Sequence, residues 1–305
     1  MDRKTFVIGG GFTGLYYAFR DNNATVLSDK KDLVAKTFKK SDDSYIFLRY
    51  HLSTKRLLDE LKISYTLKDF TISYYYQNRQ HKYPTIEAIQ NYYMKAYGVP
   101  PVNIFSGYDT NKYKVFSLVY SELIQALVEK IGDRIIYEKA TGIITKDKIV
   151  TVEREMFNYD RLMSTIPLPI TCYLANNKEL VELSKKLEAV PIGIYFNPEI
   201  PNVERKTNQI LNMEPSSEIL RWVKPLNSDE YTSECLIKST TAEGAKKSPD
   251  IFLKYGKIIP SESTQSIIRR LEGMDIVPIG RFATWTPHFD TEDAIKTIDY
   301  MLNNR

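Results

Sequence analysis

The chain has 305 residues, 43% hydrophobic and 26% charged, enough apolar material for one large or two interleaved globular domains and too much for a disordered chain. Its formal charge of +4 comes from 42 basic and 38 acidic residues with no long basic block, so it carries no clear nucleic-acid or anionic-membrane signature. Two cysteines far apart, Cys172 and Cys235, and three histidines without close pairing, His51, His81 and His288, exclude a disulfide framework and a Cys/His metal site.

In chain order, "KTFVI" (4–8) is a compact apolar run stopped by glycines, which predicts a short buried strand. The start "MDRKTFVIGGG" lacks the long apolar segment of a signal peptide, and no stretch reaches the ~18 apolar residues of a membrane span. A cytoplasmic protein with a small-molecule substrate is therefore expected. "TGLYYAFRD" follows as a helix and "ATVLSD" (24–29) as a second buried strand, a unit of βαβ size. "STKRLLDELKI" (53–63) opens on a Ser/Thr cap and spaces Leu57, Leu58 and Leu61 as a helix does. "FTISYYYQNRQHKYP" reads as strands joined by a polar turn, and "TIEAIQNYYMKAYG" as a helix closed by Gly98. "GVPPVNIFSGYDTNKY" reads as loop, and "FSLVYSELIQALVEKIG" as a second long helix ending in Gly132.

From 134 to 165 the pattern changes to short strands, a β-meander. The helix "NKELVELSKKLEA" and the strands "PIGIYF", "EILRWVKPL" and "ECLIKST" then suggest an antiparallel sheet over roughly 170–255. The chain closes with a helix "STQSIIRRLEG", a buried strand "MDIVPIG" and a terminal helix "TEDAIKTIDYMLNN".

Gly9, Gly11 and Gly14 satisfy G-x-G-x-x-G between a predicted strand and a predicted helix. The first permits the tight turn, the second lets backbone approach a pyrophosphate, and the third lets helix and strand pack closely. Within the motif, Phe12 and Thr13 open the helix, whose N-terminus offers free N–H groups and a positive dipole end to phosphates. Asp29, preceded by Ser28, lies about 20 residues on and suits ribose hydroxyls. These residues point to a bound dinucleotide and leave NAD(P) and FAD both open. With no second glycine motif, one permanently bound cofactor is expected.

At the other end, "MDIVPIGRFATWTPHFDTEDAIKTIDYML" (274–302) resembles the closing segment of the flavoprotein group that contains amine oxidases, protoporphyrinogen oxidase and UDP-galactopyranose mutase. The resemblance implies that Gly280 and Arg281 meet the FAD pyrophosphate and that a helix beginning near Thr291, with Asp293 and Ala294 in its first turn, points at the flavin. "YIFLRYHLSTKRLLDEL" is similar to the mutase segment, with His51, Lys55 and Asp59 in matching places. "NYDRLMSTIPLP" is similar to the strand that crosses back over the FAD domain, which brings Thr165 to the cofactor. The chain departs from the group at Ser28-Asp29, where Glu is usual, and at Val34-Ala35, where Gly-Gly is usual.

The resemblance implies an α/β fold: a Rossmann-like FAD-binding domain, its parallel sheet carrying a β-meander, interleaved with a smaller α+β substrate domain containing an antiparallel sheet. The expected divisions are 1–68, 114–170 and 256–305 for the first and 69–113 and 171–255 for the second.

His51 and Trp285 are the candidates for the reacting centre: His51 either faces the flavin or caps the following helix, and Trp285 either lies near the ring or packs. Tyr74 and Tyr76 share one face of a strand and either line a substrate cavity or fill the core; Arg221 is a candidate anchor for an anionic substrate. Lys254 and Lys257 are candidates for the lysine that many amine oxidases aim at the flavin. No nucleophile elbow or Walker motif supports a hydrolase or kinase. An FAD-dependent oxidoreductase of the amine-oxidase type is expected. The alternatives are a mutase-like isomerase acting on a sugar nucleotide with reduced FAD, and an FAD-binding protein with reduced catalysis.

Overall fold

A computed structural model describes residues 4–29, 48–101, 112–201, 206–224, 226, 230–237, 248–287 and 289–304. Val34, Ala35 and His288 lie outside these residues.

The strand Thr5–Ile8 is buried along its whole length and pairs in parallel with Ala24–Leu27 on one side and Arg161–Ser164 on the other. Ile135–Ile136 and Ile276–Pro278 complete a five-stranded parallel sheet in the order Ile276–Pro278, Arg161–Ser164, Thr5–Ile8, Ala24–Leu27, Ile135–Ile136. A parallel strand covered on both faces reads as a continuous apolar run, and alternation then sends Val7 into one core and Phe6 and Ile8 into another. Val7 shares its core with Leu15 and Tyr17 of the helix Phe12–Arg20, Leu127 of the helix Tyr120–Ile131 and Ile298 of the helix Thr291–Asn303. Phe6 and Ile8 share theirs with Leu162, Leu168, Ile267 and Ile276. Arg134 ties the edge together by donating to the carbonyls of Ala18, Asp21 and Ala24 at 2.8–3.0 Å.

The expected meander forms a separate antiparallel sheet of Ala140–Ile144, Ile149–Val152 and Met156–Asn158. The larger sheet has nine strands among the described residues. Its path runs Ile251–Ile258, Ala189–Phe196, Thr232–Leu236, Ile219–Val223, Gln209–Asn212, Thr66–Tyr76, Lys112–Ser117, Leu48–Arg49, with Arg79–His81 paired to Thr66–Tyr76. All its pairs are antiparallel except Gln209–Asn212 with Ile72 to Tyr75. The helix Ile86–Tyr97, capped by Thr85 and closed by Gly98 at φ +69°, covers one face through Ala88, Ile89, Tyr92 and Ala96.

Three elements differ from expectation. The second long helix starts at Tyr120, because Lys112–Ser117 is a strand zipped to Thr66–Tyr76, and that pairing partner lies far back in the chain. Gln209–Asn212 is four residues with a single intermediate position, too short to show a period. Leu168–Leu174 is a helix despite Pro167 and Pro169, since proline is tolerated in a first turn whose N–H groups lack helical partners.

Candidate functional site

The three motif glycines have three different neighbourhoods. Gly9 has φ +114°, and a Cβ there would lie 2.4 Å from Thr165 Oγ1; at Gly14 it would lie 2.0 Å from the Gly9 carbonyl. At Gly11 it would meet nothing within 4 Å. Gly9 and Gly14 are therefore required by the protein's own packing, whereas Gly11 borders open space. Gly11 is the N-cap of Phe12–Arg20; it makes no side-chain cap bond, and the first turn holds no acidic residue. The helix itself thus brings no counter-charge to the positive end of its dipole. Thr165 Oγ1 donates to the carbonyls of Ile8 and Gly9 at 3.0 and 3.2 Å and so props the turn from beneath.

Gly280, at φ +91°, brings the other end of the chain to the same place: a Cβ there would lie 3.0 Å from Thr13 Oγ1. Its neighbour Arg281 donates from Nη2 to the Gly256 carbonyl at 2.9 Å. Gly11, Phe12, Thr13, Thr165, Gly280 and Arg281 share the wall of a cavity of about 510 Å³, which Arg221, Val223, Phe282, Phe289, Asp290 and Thr291 complete. A second cavity of about 320 Å³ shares Arg281, Phe289, Asp290 and Thr291 and adds Arg49, His51, Thr54 and Glu292. Asp29 lies at a third opening of about 460 Å³, with Tyr137, Glu138, Lys139, Glu153 and Arg154, at the ends of the parallel strands Ala24–Leu27 and Ile135–Ile136. Ser28 beside it is buried, its N–H bonded to the Ile136 carbonyl at 3.0 Å.

His51 is the N-cap residue of Leu52–Glu60, yet its ring makes no capping bond. Its Nε2 instead contacts Glu292 Oε2 across the smaller cavity. Lys55 and Asp59 pair with each other at 2.6 Å on the exposed side of that helix, and Tyr65 donates to Asp59 at 3.0 Å. These bonds hold the Asp59 carboxyl below its ordinary range and the Lys55 ammonium above its own. Neither residue lines the cavities.

The terminal helix begins with a capping box, the Asp290 and Asp293 side chains each accepting from the other's N–H at 3.0 Å. Asp293 is thereby engaged with its own helix, and Ala294 is buried; the first-turn residues on the cavity walls are Asp290, Thr291 and Glu292. Trp285 is 2% exposed, at φ +51°, edge-on to Tyr255 with ring centroids 5.7 Å apart, and its buried Nε1 has no hydrogen-bond partner among the described residues. It does not line the cavities described. Tyr74 and Tyr76 lie in the core under Ile86–Tyr97, Tyr76 stacking on His81 and donating to the Tyr83 carbonyl at 3.1 Å.

Arg221 reaches the larger cavity while its Nε donates to Glu234 Oε2 at 2.6 Å, and Lys257 Nζ stands 3.4 Å from Glu234 Oε1. Lys257 also lies over the Tyr97 ring at 5.6 Å. Burial pushes the Tyr97 hydroxyl up to about 12, against the opposing field of Arg281. Burial likewise pushes Tyr92 up to about 12, against the field of Lys257. Lys254 is exposed and lies over Tyr255, so the two candidate lysines occupy different environments.

Sequence reasoning missed Arg49, Glu234, Asp290 and Glu292. The Asp290 to Asp293 spacing is a legible cap signal; Glu234 and Arg49 carry none, because their partners come from other strands and elements. Among the described residues no group of three or more His, Cys, Asp or Glu could hold a metal ion, and no helix is long and apolar enough to cross a membrane.

No protein-family model matches the chain, and no curated protein matches it in sequence. Solved structures do match in fold. A reduced UDP-galactopyranose mutase superposes with TM-score 0.72 at 13% identity, covering 100% of this chain and 96% of the other. A CLA-producing fatty acid isomerase from P. acnes gives 0.67 at 10% identity, covering 99% and 98%. Wild-type putrescine oxidase bound to putrescine gives 0.56 at 10% identity, covering 99% of each. The expected fold is the fold found: a parallel sheet with a meander, joined to a large, mostly antiparallel sheet, in a chain that superposes over nearly its whole length on these structures.

Proposed function

We propose that the chain is an FAD-dependent oxidoreductase of the amine-oxidase type, acting on a small or nucleotide-linked molecule. The observation that carries this reading is the meeting of Gly11 and the Gly280-Arg281 corner on one cavity wall, with open space above Gly11 and the uncapped helix end beneath it. An anionic pyrophosphate fits that place: backbone can approach it at Gly11, helix N–H groups face it, and a guanidinium matches phosphate geometry. Asp29 would take the ribose hydroxyls. Bound FAD would supply the acceptor for a hydride.

The protein's own residues would do the rest. Arg221, steadied by Glu234, stands at the larger cavity where it can orient an anionic substrate group. Residues 1–68, 114–170 and 256–305 would serve the cofactor and 69–113 and 171–255 the substrate.

Loading the purified protein with FAD, desalting it and recording the visible spectrum tests the reading. Retained flavin bands in the wild type and their loss in Arg281→Ala support it; a colourless wild type overturns it. Bleaching of the bands or peroxide release with amines under air then supports oxidation. The fold match to the mutase and the placement of His51 on a cavity wall favour a second reading, sugar-nucleotide isomerisation. Turnover of UDP-sugars only after dithionite reduction would establish it, and retained flavin without either activity would mark an FAD-binding protein with reduced catalysis.

A further inference from the structure

The smaller cavity contains a carboxylate and an imidazole that the reading above leaves without a task. Glu292 is the second residue of the terminal helix, its side chain 8% exposed. One carboxylate oxygen contacts His51 Nε2 and the other meets Lys296 Nζ at 2.5 Å. Arg49, Arg281 and Asp290 are the other charged groups on this cavity wall, while Lys55, on the helix His51 begins, is engaged by Asp59. The helices Leu52–Glu60 and Thr291–Asn303 pack on each other, so the pair joins two rigid elements.

The bond made by one ring nitrogen of a histidine decides what the other can do. With Nε2 held against a carboxylate, the neutral ring carries its proton on Nε2, and Nδ1 is the nitrogen left for a molecule in the cavity. We propose that Glu292 is a positioning residue that makes His51 the proton-exchanging group of this site. A proton leaving an N–H or O–H of the bound molecule adds to the Nδ1 lone pair, and the resulting imidazolium is balanced by the Glu292 carboxylate; the return step reverses this. The inference rests on the FAD reading only for the identity of the bound molecule.

Nitrogen-15 NMR of the cofactor-free full chain tests it. Only three histidines are present, and His51→Asn assigns the ring. The wild type is expected to show a single tautomer, with a downfield Nε2–H and Nδ1 as the unprotonated nitrogen. In Glu292→Ala the Nε2–H signal is lost to exchange with water, and Glu292→Asp restores it. A Glu292→Ala spectrum identical to wild type, or a wild type with its ring proton on Nδ1, overturns the inference. After FAD is added, the His51 Nδ1 signal is expected to shift. An unmoved signal in protein that retains flavin overturns the inference, whereas loss of the flavin on desalting overturns the FAD reading and leaves the cofactor-free comparison to decide this one.

Discussion

Gly280 presses on Thr13: a Cβ at Gly280 would lie 3.0 Å from the Thr13 hydroxyl, so the corner after Ile276–Pro278 is built against the first turn of the glycine-motif helix. Gly280→Ala combines that contact with a left-handed φ of +91°, and a loss of about 1–3 kcal/mol is expected. Thermal denaturation of the variant checks it, together with flavin retention, which should fall in step if the corner holds the cofactor.

The neighbourhoods of Gly11 and Gly14 predict opposite behaviour. Gly14→Ala would drive a methyl to 2.0 Å from the Gly9 carbonyl, against backbone that has nowhere to go, and should abolish soluble folded protein. Gly11→Ala meets open space and should cost less than ~1 kcal/mol, a helix N-cap effect, while weakening FAD retention. Circular dichroism and a flavin binding isotherm on the two variants separate a packing glycine from a binding glycine.

Glu234 is almost fully buried between Arg221 and Lys257. Removing one member of a buried charge set leaves the others uncompensated, so Glu234→Ala should destabilise by about 3–5 kcal/mol. Urea denaturation provides the measurement. A change under 1 kcal/mol would mean that solvent reaches the cluster and compensates its cations.

Tyr92 and Tyr97 carry the alkaline prediction. Their hydroxyls ionise near 10 in the unfolded chain and near 12 in the folded one, because burial disfavours the phenolate. The unfolded state therefore releases protons first, and the stability these groups contribute is fully present below pH 10 and lost as pH rises toward 12. Tyr97→Phe should flatten that decline in unfolding measurements between the two values; an unchanged slope would show that the ring ionises in the folded state as it does in water.

Much of the parallel-sheet half was legible from local signals. The strand Thr5–Ile8, the glycine turn, the helix Phe12–Arg20 and the strand Ala24–Leu27 follow one another within a short stretch, and each is marked by residue type or spacing. The closing segment is equally local, with Gly280, Arg281 and the Asp290 to Asp293 cap in sequence. The strand Lys112–Ser117 was not legible, because Val115 and Phe116 fit a helix or a strand until Thr66–Tyr76 pairs with them. For His51 the residue was visible, but its bond was not: the sequence allowed a ring facing the flavin or one capping its own helix, and in the structure it makes no cap bond and contacts Glu292.

By itself, then, the sequence determined the chemistry available at each end of the chain: a glycine motif at a helix start, and a glycine with an arginine after a buried strand. Those properties depend on backbone conformation and residue type within a few positions. Only the tertiary structure decided that Gly280 meets Thr13, that Arg221 and Lys257 share Glu234, and that His51 faces Glu292. Each of those contacts joins separate elements, and sheet order and helix packing, unlike residue spacing, set which side chains come within bonding distance.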